Sequence, residues 1–255
     1  MLYFRQTGSK DNPAIVLLHG GGISSRMWQP QFERLNDFYL IAPDLPEQGE
    51  SFAVRPFTLE DSASRVAEII RTTIPGGKAH LVGNSLGGAV ILTMLRTCPD
   101  VVDRALVQGA AAKLARWLGN LSISLLWIYR FYTPERMAEA TMRQLHVPEQ
   151  YHDLIFPDLV KTGTKEFSRT TIQALMDMEL PLQNTRPLLT VVGEQETPTA
   201  KDAAHKMVRL IPNTRGVVVP GVHHLMNLQN PDLYCNMVRA WVTAQPLPAS
   251  LAPIS

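Results

Sequence analysis

The chain of 255 residues has little cysteine and no excess of charge of one sign. Cys98 and Cys235 are far apart and outside any CxxC pattern, which excludes a disulfide framework and a cysteine zinc site. The 24 Lys and Arg residues balance 23 Asp and Glu residues without a basic run, which argues against nucleic-acid binding. The longest apolar stretch, residues 121–131, is about half the length that a membrane-spanning helix needs. Because the N-terminus also lacks the pattern of a secretory signal, we expect a cytoplasmic protein without a membrane span, nucleic-acid partner or metal.

Short runs rich in Val, Ile and Leu alternate with longer amphipathic segments along most of the chain. This alternation is typical of βα units in a parallel sheet. The predicted strands cover residues 2–6, 14–18, 38–42, 79–83, 104–108, 188–192 and 216–219. The predicted helices cover residues 29–35, 59–73, 86–97, 200–210 and 231–244. The pattern therefore predicts an α/β fold, a mostly parallel twisted sheet with helices on both faces.

The alternation is interrupted once, between residues 111 and 182. This segment has several helix-like stretches and no convincing strand, so we interpret it as a helical cap inserted into a core of residues 1–110 and 183–245. The final residues 246–255, PLPASLAPIS, are rich in proline and small side chains. They predict a loose C-terminal tail.

A serine lies among glycines where a predicted strand meets a predicted helix. Gly83, Asn84, Ser85, Leu86 and Gly87 form GxSxG, the pattern of a nucleophile elbow when it stands between a strand and a helix. The tight turn exposes the serine hydroxyl at the carboxyl edge of the sheet, and side chains at the two glycines would collide with neighbouring backbone. Ser85 is therefore the candidate nucleophile.

A nucleophilic serine also needs groups that stabilise an oxyanion. The glycine-rich stretch HGGGISS follows the strand predicted at residues 14–18, and its backbone N–H groups can face a developing negative charge without obstruction by side chains. The N–H groups of Gly21 and of Leu86, next to the serine, are the predicted oxyanion hole.

The base must be one of seven histidines. These are His19, His80, His146, His152, His205, His223 and His224. The last two directly follow the strand predicted at residues 216–219, on a loop that returns to the carboxyl edge of the sheet beside Ser85. Several of the others fall on predicted strands, helices or the cap, where packing or surface roles are common. The choice between His223 and His224 stays open on this ground alone.

Five motifs along the chain form a set. They are HGGG at 19–22, DLPEQGES at 44–51, GNSLGG at 83–88, GEQE at 193–196 and GVHHLMNLQNP at 221–231. This set resembles the α/β-hydrolase superfamily, in its serine-nucleophile branch with a helical cap, and covers all of the chain except the tail. The EQG sequence departs from the GHG-like turn of many members, in a motif that is usually architectural, so Asp44 and Ser51 are interpreted as loop anchors.

The resemblance implies a base and an acid. Members commonly carry the histidine seven residues before a proline that opens the last helix, which indicates His224. The acid usually lies three residues after a glycine that ends a strand, which indicates Glu196 after Gly193. Aspartate is more common there, so Glu196 implies a longer arm. The other candidates for the acid are Glu194, Asp202 and Asp177.

The resemblance implies acyl transfer through an acyl-enzyme, with no cofactor and no metal. We expect a small, apolar ester as substrate and a monomer or homodimer. The cap run LSISLLWIYRFY predicts an apolar pocket that includes Gly22, Trp127, Ile128 and Phe131, although this face could instead pack on the core. The alternatives are a hydrolase of carbon–carbon bonds in ring-fission products and a small-molecule sensor with slow or no turnover.

Overall fold

An eight-stranded sheet forms the centre of the computed structural model, which describes residues 1–110 and 112–254. The strands are β1 (Phe4–Thr7), β2 (Ala14–Leu18), β3 (Tyr39–Pro43), β4 (Ala79–Asn84), β5 (Val102–Gln108), β6 (Leu188–Gly193), β7 (Thr214–Val219) and β8 (Ala252–Pro253). Their order across the sheet is β1-β3-β2-β4-β5-β6-β7-β8. Strands β2 to β7 are parallel, whereas β1 and β8 run antiparallel to their neighbours. The prediction of a mostly parallel sheet is confirmed.

The described residues form ten α-helices, of which those outside residues 112–182 cover the two faces of this sheet. They are α1 (Gln29–Arg34), α2 (Leu59–Thr73), α3 (Leu86–Thr97), α4 (Arg116–Leu125), α5 (Pro134–Gln144), α6 (His152–Thr162), α7 (Lys165–Asp177), α8 (Pro198–Leu210), α9 (Met226–Gln229) and α10 (Pro231–Val242). Alternate residues of β2 separate the two faces: Val16 and Leu18 pack with α2 and α3, whereas Ile15 and Leu17 pack with α9 and α10. Burial on both faces explains why β2, with the sequence AIVLL, is apolar throughout.

The carboxyl ends of the parallel strands meet at one edge of the sheet. Leu18 at the end of β2 pairs with Gly83 in β4, and Asn84 at the end of β4 pairs with Gln108 at the end of β5. The loops that follow these strands therefore lie side by side. This edge holds the residues that the sequence selects as candidates for catalysis.

Residues 112–182, the described part of the predicted cap, contain α4 to α7 and no strand, and Ala111 lies outside the described residues. We call this segment the cap, and its role as a cap stays a prediction. A 3-10 helix, Leu126–Phe131, extends the chain beyond α4. Among the described residues, no helix combines the length and the hydropathy that crossing a bilayer requires.

The structure corrects the prediction of a loose tail for residues 246–254, and Ser255 lies outside the described residues. Ala252 and Pro253 form β8, which pairs with Val218 and Val217 of β7. Ile254 is buried beside Val218, and its N–H group donates to the Gly216 carbonyl. The proline is tolerated because β8 is an edge strand, where a missing N–H donor costs no ladder bond.

Candidate active site

Ser85 occupies a strained turn between β4 and α3. Its backbone has φ 48° and ψ −107°, in the region of positive φ that residues other than glycine rarely adopt. The Ser85 N–H donates to the Gln108 carbonyl at 2.8 Å, which holds the turn against the end of β5. Strain of this kind at an elbow is a device that exposes a nucleophilic hydroxyl.

The two glycines of the motif make this turn possible. A Cβ at Gly83 would lie 2.7 Å from the Gly87 carbonyl, and a Cβ at Gly87 would meet the Leu18 carbonyl. The strand, the turn and the first turn of α3 are thus packed backbone to backbone. Ser85 itself is half-buried in this arrangement.

His224 and Glu196 form a direct hydrogen bond. His224 Nδ1 lies 2.8 Å from Glu196 Oε1, and the two side chains are 22% and 5% exposed. Because a carboxylate accepts hydrogen bonds, this contact places the proton of the neutral imidazole on Nδ1 and leaves Nε2 as its basic nitrogen. The loops that carry both residues are joined by the Gln195 N–H, which donates to the Val222 carbonyl at 3.0 Å.

The competing residues have other partners. Glu194 accepts a bond from the Gly221 N–H at 2.9 Å, and Asp177 pairs with Arg116 at 3.2 Å in the cap. The ring of His223 contacts the Gln195 carbonyl through Nδ1 and stacks on another histidine, His146, of the cap. The fourth candidate for the acid, Asp202, is exposed on α8.

Ser85 is tied to the His224 loop through its neighbours. The side-chain amides of Asn84 and Gln108 each donate to the His224 carbonyl at 3.4 Å. The hydrogen bonds within the described parts of the chain do not include one between Ser85 and His224. Such bonds are often long before substrate binds, so the structure brings two of the three candidates into direct contact and the third into the adjoining turn.

The glycine-rich loop after β2 lies against the start of α3. A Cβ at Gly21 would be 3.4 Å from Leu86 Cδ2, so the two predicted oxyanion donors belong to neighbouring segments. The first N–H groups of a helix have no acceptor within it, which leaves the N–H at Leu86 suited to an anion. Gly22, with φ 83°, instead donates its N–H to Gln48 Oε1 at 2.8 Å.

Buried polar side chains hold this loop against the core of the protein. His19 Nδ1 contacts the Gly20 carbonyl at 2.8 Å, and its Nε2 accepts from the Leu45 N–H at 2.9 Å. Burial lowers the pKa of His19, which keeps the ring neutral, and both nitrogens are already used. Asp44 accepts from the backbone N–H of Ser25 at 2.7 Å, which supports its interpretation as a loop anchor.

Polar contacts connect helix α6 of the cap to this loop and to the loop that contains Gly49. Ser24 Oγ donates to the buried Asp158 carboxylate, Thr162 Oγ1 donates to the Gly22 carbonyl at 2.8 Å, and Lys161 Nζ donates to the Gly49 carbonyl at 2.7 Å. Burial raises the pKa of Asp158, although the bond from Ser24 opposes this shift. We interpret the contacts of Asp158 and Thr162 as those that hold the glycine-rich loop against α6, whereas the Lys161 contact joins α6 to the loop that contains Gly49.

The Asp158 carboxylate gives a pH-dependent prediction. Because its pKa is raised, Asp158 binds a proton more tightly in the folded state than in the unfolded chain. The stability that this proton contributes is fully present below the ordinary carboxyl pKa. It is lost as the pH rises through the raised pKa of the folded state. Asp158→Asn buries no charge, so its free energy of unfolding should increase relative to wild type as the pH rises through this window. Urea unfolding of both proteins from acid to neutral pH measures this difference.

Asp153→Asn, at an exposed position of the same helix, is the matched control and should not reproduce the gain in stability expected of Asp158→Asn. A stability difference between Asp158→Asn and wild type that does not change with pH would contradict the assignment of a raised pKa.

Gly109, at the end of β5, lies directly against the His224–Glu196 pair. Its φ is 56°, and a Cβ there would lie 2.7 Å from His224 Cε1 and 3.0 Å from Glu196 Oε1. Gly109→Ala should therefore displace the imidazole and lower kcat/KM for an ester substrate by about 10²-fold. Gly221→Ala is the control, because that glycine has φ 69° and nothing within 4 Å of its Cβ position. Equal losses in both variants would mean that backbone strain alone is responsible.

The predicted pocket residues of the cap lie at its outer surface. Trp127, Ile128 and Phe131 are 50%, 40% and 59% exposed. A Cβ at Gly22, in contrast, would lie 3.4 Å from Leu159 Cδ2 and 3.9 Å from Phe167 Cε1. Of the cap's apolar side chains, those of α6 and α7 thus face the glycine-rich loop, and the assignment of Trp127, Ile128 and Phe131 to a pocket remains a prediction.

A metal site has no support in the described residues: residues 1–110 and 112–254 contain no group of three or more His, Cys, Asp or Glu side chains placed to hold an ion.

The sheet order, the elbow and the histidine–carboxylate pair define a class of protein. The chain belongs to the alpha/beta hydrolase family, whose model matches residues 15–236. That match includes Ser85, Glu196 and His224.

Several named proteins are similar to this chain over most of its length. The carboxylesterase YbfK of Bacillus subtilis is 25% identical over 244 residues, which cover 89% of this chain and 79% of that protein. The pimeloyl-(acyl-carrier protein) methyl ester esterase of Pectobacterium atrosepticum is 26% identical over 262 residues, covering 94% and 98%. A solved esterase structure from Thermogutta terrifontis superposes with a TM-score of 0.79 at 24% identity, covering 95% and 93%, a likeness that concerns the fold alone.

Proposed function

We propose that this protein is a serine hydrolase that cleaves a carboxylic ester of a small substrate through an acyl-enzyme. The observation that carries the proposal is the partly buried His224–Glu196 hydrogen bond at 2.8 Å, beside a serine in a strained strand-to-helix turn. A neutral imidazole with its tautomer fixed by a carboxylate is the base that a serine hydroxyl needs.

The first half of the reaction acylates the enzyme. His224 Nε2 takes the hydroxyl proton of Ser85 while Oγ bonds to the ester carbonyl carbon, and the carbonyl oxygen becomes an oxyanion. The N–H groups of Gly21 and Leu86 donate to that oxyanion. When the carbon–oxygen bond of the ester breaks, His224 returns its proton to the departing alkoxide, and an alcohol leaves.

The second half releases the acid. His224 takes a proton from a water molecule, whose oxygen bonds to the acyl carbon, and then returns that proton to Ser85 Oγ as the acyl bond breaks. Throughout, Glu196 holds the imidazole in one orientation and stabilises its charged form. No redox partner or metal is required by this sequence of steps.

The named relatives support the ester class, since two of them are a carboxylesterase and a methyl ester esterase. The apolar side chains of Leu159 and Phe167 near the glycine-rich loop support an apolar acyl or alcohol group. Thioesters and lactones share the same acyl chemistry, and their rates relative to esters would define the substrate class further.

A series of p-nitrophenyl esters with acyl chains of increasing length tests this proposal. We expect steady-state turnover of at least one ester and stoichiometric inactivation by a fluorophosphonate. Negligible turnover of every ester, together with stabilisation of the fold by a small ligand, would instead favour a sensor and contradict the proposal.

A further inference from the structure

The cap carries most of the exposed large hydrophobic side chains in the part of the chain that the structure describes. Seven of the eleven lie between residues 117 and 132, on α4, on the 3-10 helix after it and at Tyr132, which follows that helix. The side chain of Trp117 has the largest exposed fraction of these seven, 71%. We call this surface of residues 117–132 the outer cap face. A clustered apolar surface of this kind marks a contact site far more often than scattered single residues do.

The helical spacing puts three of these side chains in one stripe. Trp117, Leu121 and Leu125 follow each other at intervals of four residues within α4, which places them on the same side of that helix, and the exposed Ile128 follows in the 3-10 helix. The opposite side packs on the cap, because Gly119 of α4 lies against Met176 of α7. The stripe is therefore not needed for the cap's own packing.

Aromatic and cationic groups complete the outer cap face. The rings of Trp127 and Phe131 meet edge to face with centroids 5.5 Å apart, and the Arg130 guanidinium lies 5.5 Å and 4.7 Å from these two centroids. Tryptophan and arginine side chains, each with an apolar body and a polar end, are typical of surfaces that meet the headgroup region of a lipid layer.

The charge of this segment has one sign. Residues 105–134 contain Lys113, Arg116 and Arg130 but no Asp or Glu. Arg116 pairs with Asp177 of α7 at 3.2 Å, whereas Lys113 is exposed and Arg130 contacts only aromatic rings among the described residues. The outer cap face is thus apolar, with Lys113 and Arg130 as cations at its edge that no described acidic side chain pairs, and with the exposed Glu135 just beyond residue 134.

We propose that the outer cap face docks the protein on an anionic lipid surface. Apolar burial and attraction of basic side chains to anionic headgroups are the two forces that hold a peripheral amphipathic helix on a membrane. A second copy of the chain fits less well. A symmetric dimer through this face would oppose cations to cations with no acidic side chain of residues 105–134 to pair with them.

Vesicle binding followed by tryptophan fluorescence tests the proposal. Trp28 and Trp241 are buried, so a blue shift on binding must come from Trp117 and Trp127 on the outer cap face. Vesicles of equal parts phosphatidylcholine and phosphatidylglycerol should sediment the protein and shift its emission, and added salt should weaken both effects. Vesicles of phosphatidylcholine alone should bind less. Because docking uses no hydrolytic step, Ser85→Ala should bind like wild type, which separates this proposal from the proposed activity.

Two pairs of variants distinguish docking through the outer cap face from nonspecific adsorption of the protein to vesicles. Leu121→Gln combined with Leu125→Gln removes apolar area from exposed positions and should weaken binding to the anionic vesicles at least tenfold. The matched control, Leu182→Gln with Leu210→Gln, changes two exposed leucines elsewhere and should bind normally. Absence of wild-type binding, or equal loss in both pairs, would overturn the proposal. So would a solution dimer that the Leu121 and Leu125 changes abolish while vesicles bind nothing.

Discussion

Replacing Ser85 by alanine is expected to lower kcat for p-nitrophenyl esters by about 10⁴-fold to 10⁶-fold without unfolding the protein. The reason is that the hydroxyl forms the covalent bond of the acyl-enzyme, and neither His224 nor the oxyanion donors can replace it. Steady-state kinetics on the purified variant, with circular dichroism to check the fold, measures this loss.

The variant Ser85→Gly separates the effect of this residue on catalysis from its effect on the free energy of unfolding. Ser85 has φ 48°, which glycine adopts without steric cost, so Ser85→Gly should increase the free energy of unfolding by about 1 kcal/mol. Its esterase activity should be as low as that of Ser85→Ala. If either variant kept most of the wild-type activity, Ser85 would not be the nucleophile.

The change Glu196→Gln should lower kcat by about 10²-fold to 10⁴-fold. The glutamine amide is uncharged and presents N–H donors, so it no longer fixes the proton on His224 Nδ1 or stabilises the imidazolium that forms when Ser85 is deprotonated. The carboxylate is 5% exposed at its side chain, so bulk water cannot supply this stabilisation. The measurement is kcat for the ester that wild type hydrolyses fastest.

Glu194→Gln is the matched control, two residues away on the same loop. Glu194 accepts from the Gly221 N–H, which a glutamine amide oxygen can also do, so its rate should stay within about threefold of wild type. A larger loss for Glu194→Gln than for Glu196→Gln would transfer the role of the acid to Glu194.

The sheet could be predicted from the sequence because its central strands are buried on both faces. Runs such as AIVLL at Ala14–Leu18 stand out as uninterrupted apolar segments, and their ends are marked by glycine and by polar residues. The helices Leu59–Thr73 and Leu86–Thr97 match their predicted ends because a capping threonine begins the first and the GxSxG turn begins the second.

Contacts between distant segments could not be predicted in the same way. Gln48 binds Gly22 across 26 positions and Asp158 binds Ser24 across 134 positions, and no local pattern records such pairings. Gly109 resembles an ordinary glycine after a strand, since its closeness to His224 depends on how β5 and the loop after β7 come together. The last strand was missed because a pairing of two residues leaves almost no periodic signal.

The main feature that the structure shows and the sequence could not predict is the set of polar residues around the glycine-rich loop. EQG at 47–49 departs from the GHG-like turn of many family members in a motif that is usually architectural. The structure places Gln48, fully buried, in contact with the Gly22 N–H, next to the predicted oxyanion donor Gly21. Gln48 from the core and Asp158 and Thr162 from the cap hold this loop in place. They can thereby orient the Gly21 N–H group toward an oxyanion without contacting the substrate.

A crystal structure of the protein inactivated by an alkyl fluorophosphonate tests the central claim most directly. Our account predicts a phosphorus–oxygen bond to Ser85 Oγ, with a phosphonyl oxygen about 3 Å from the backbone nitrogens of Gly21 and Leu86. It also predicts His224 Nε2 within hydrogen-bond distance of the adduct while Nδ1 stays on Glu196. A label on another residue, or an adduct oxygen that points to solvent away from both N–H groups, would contradict the account.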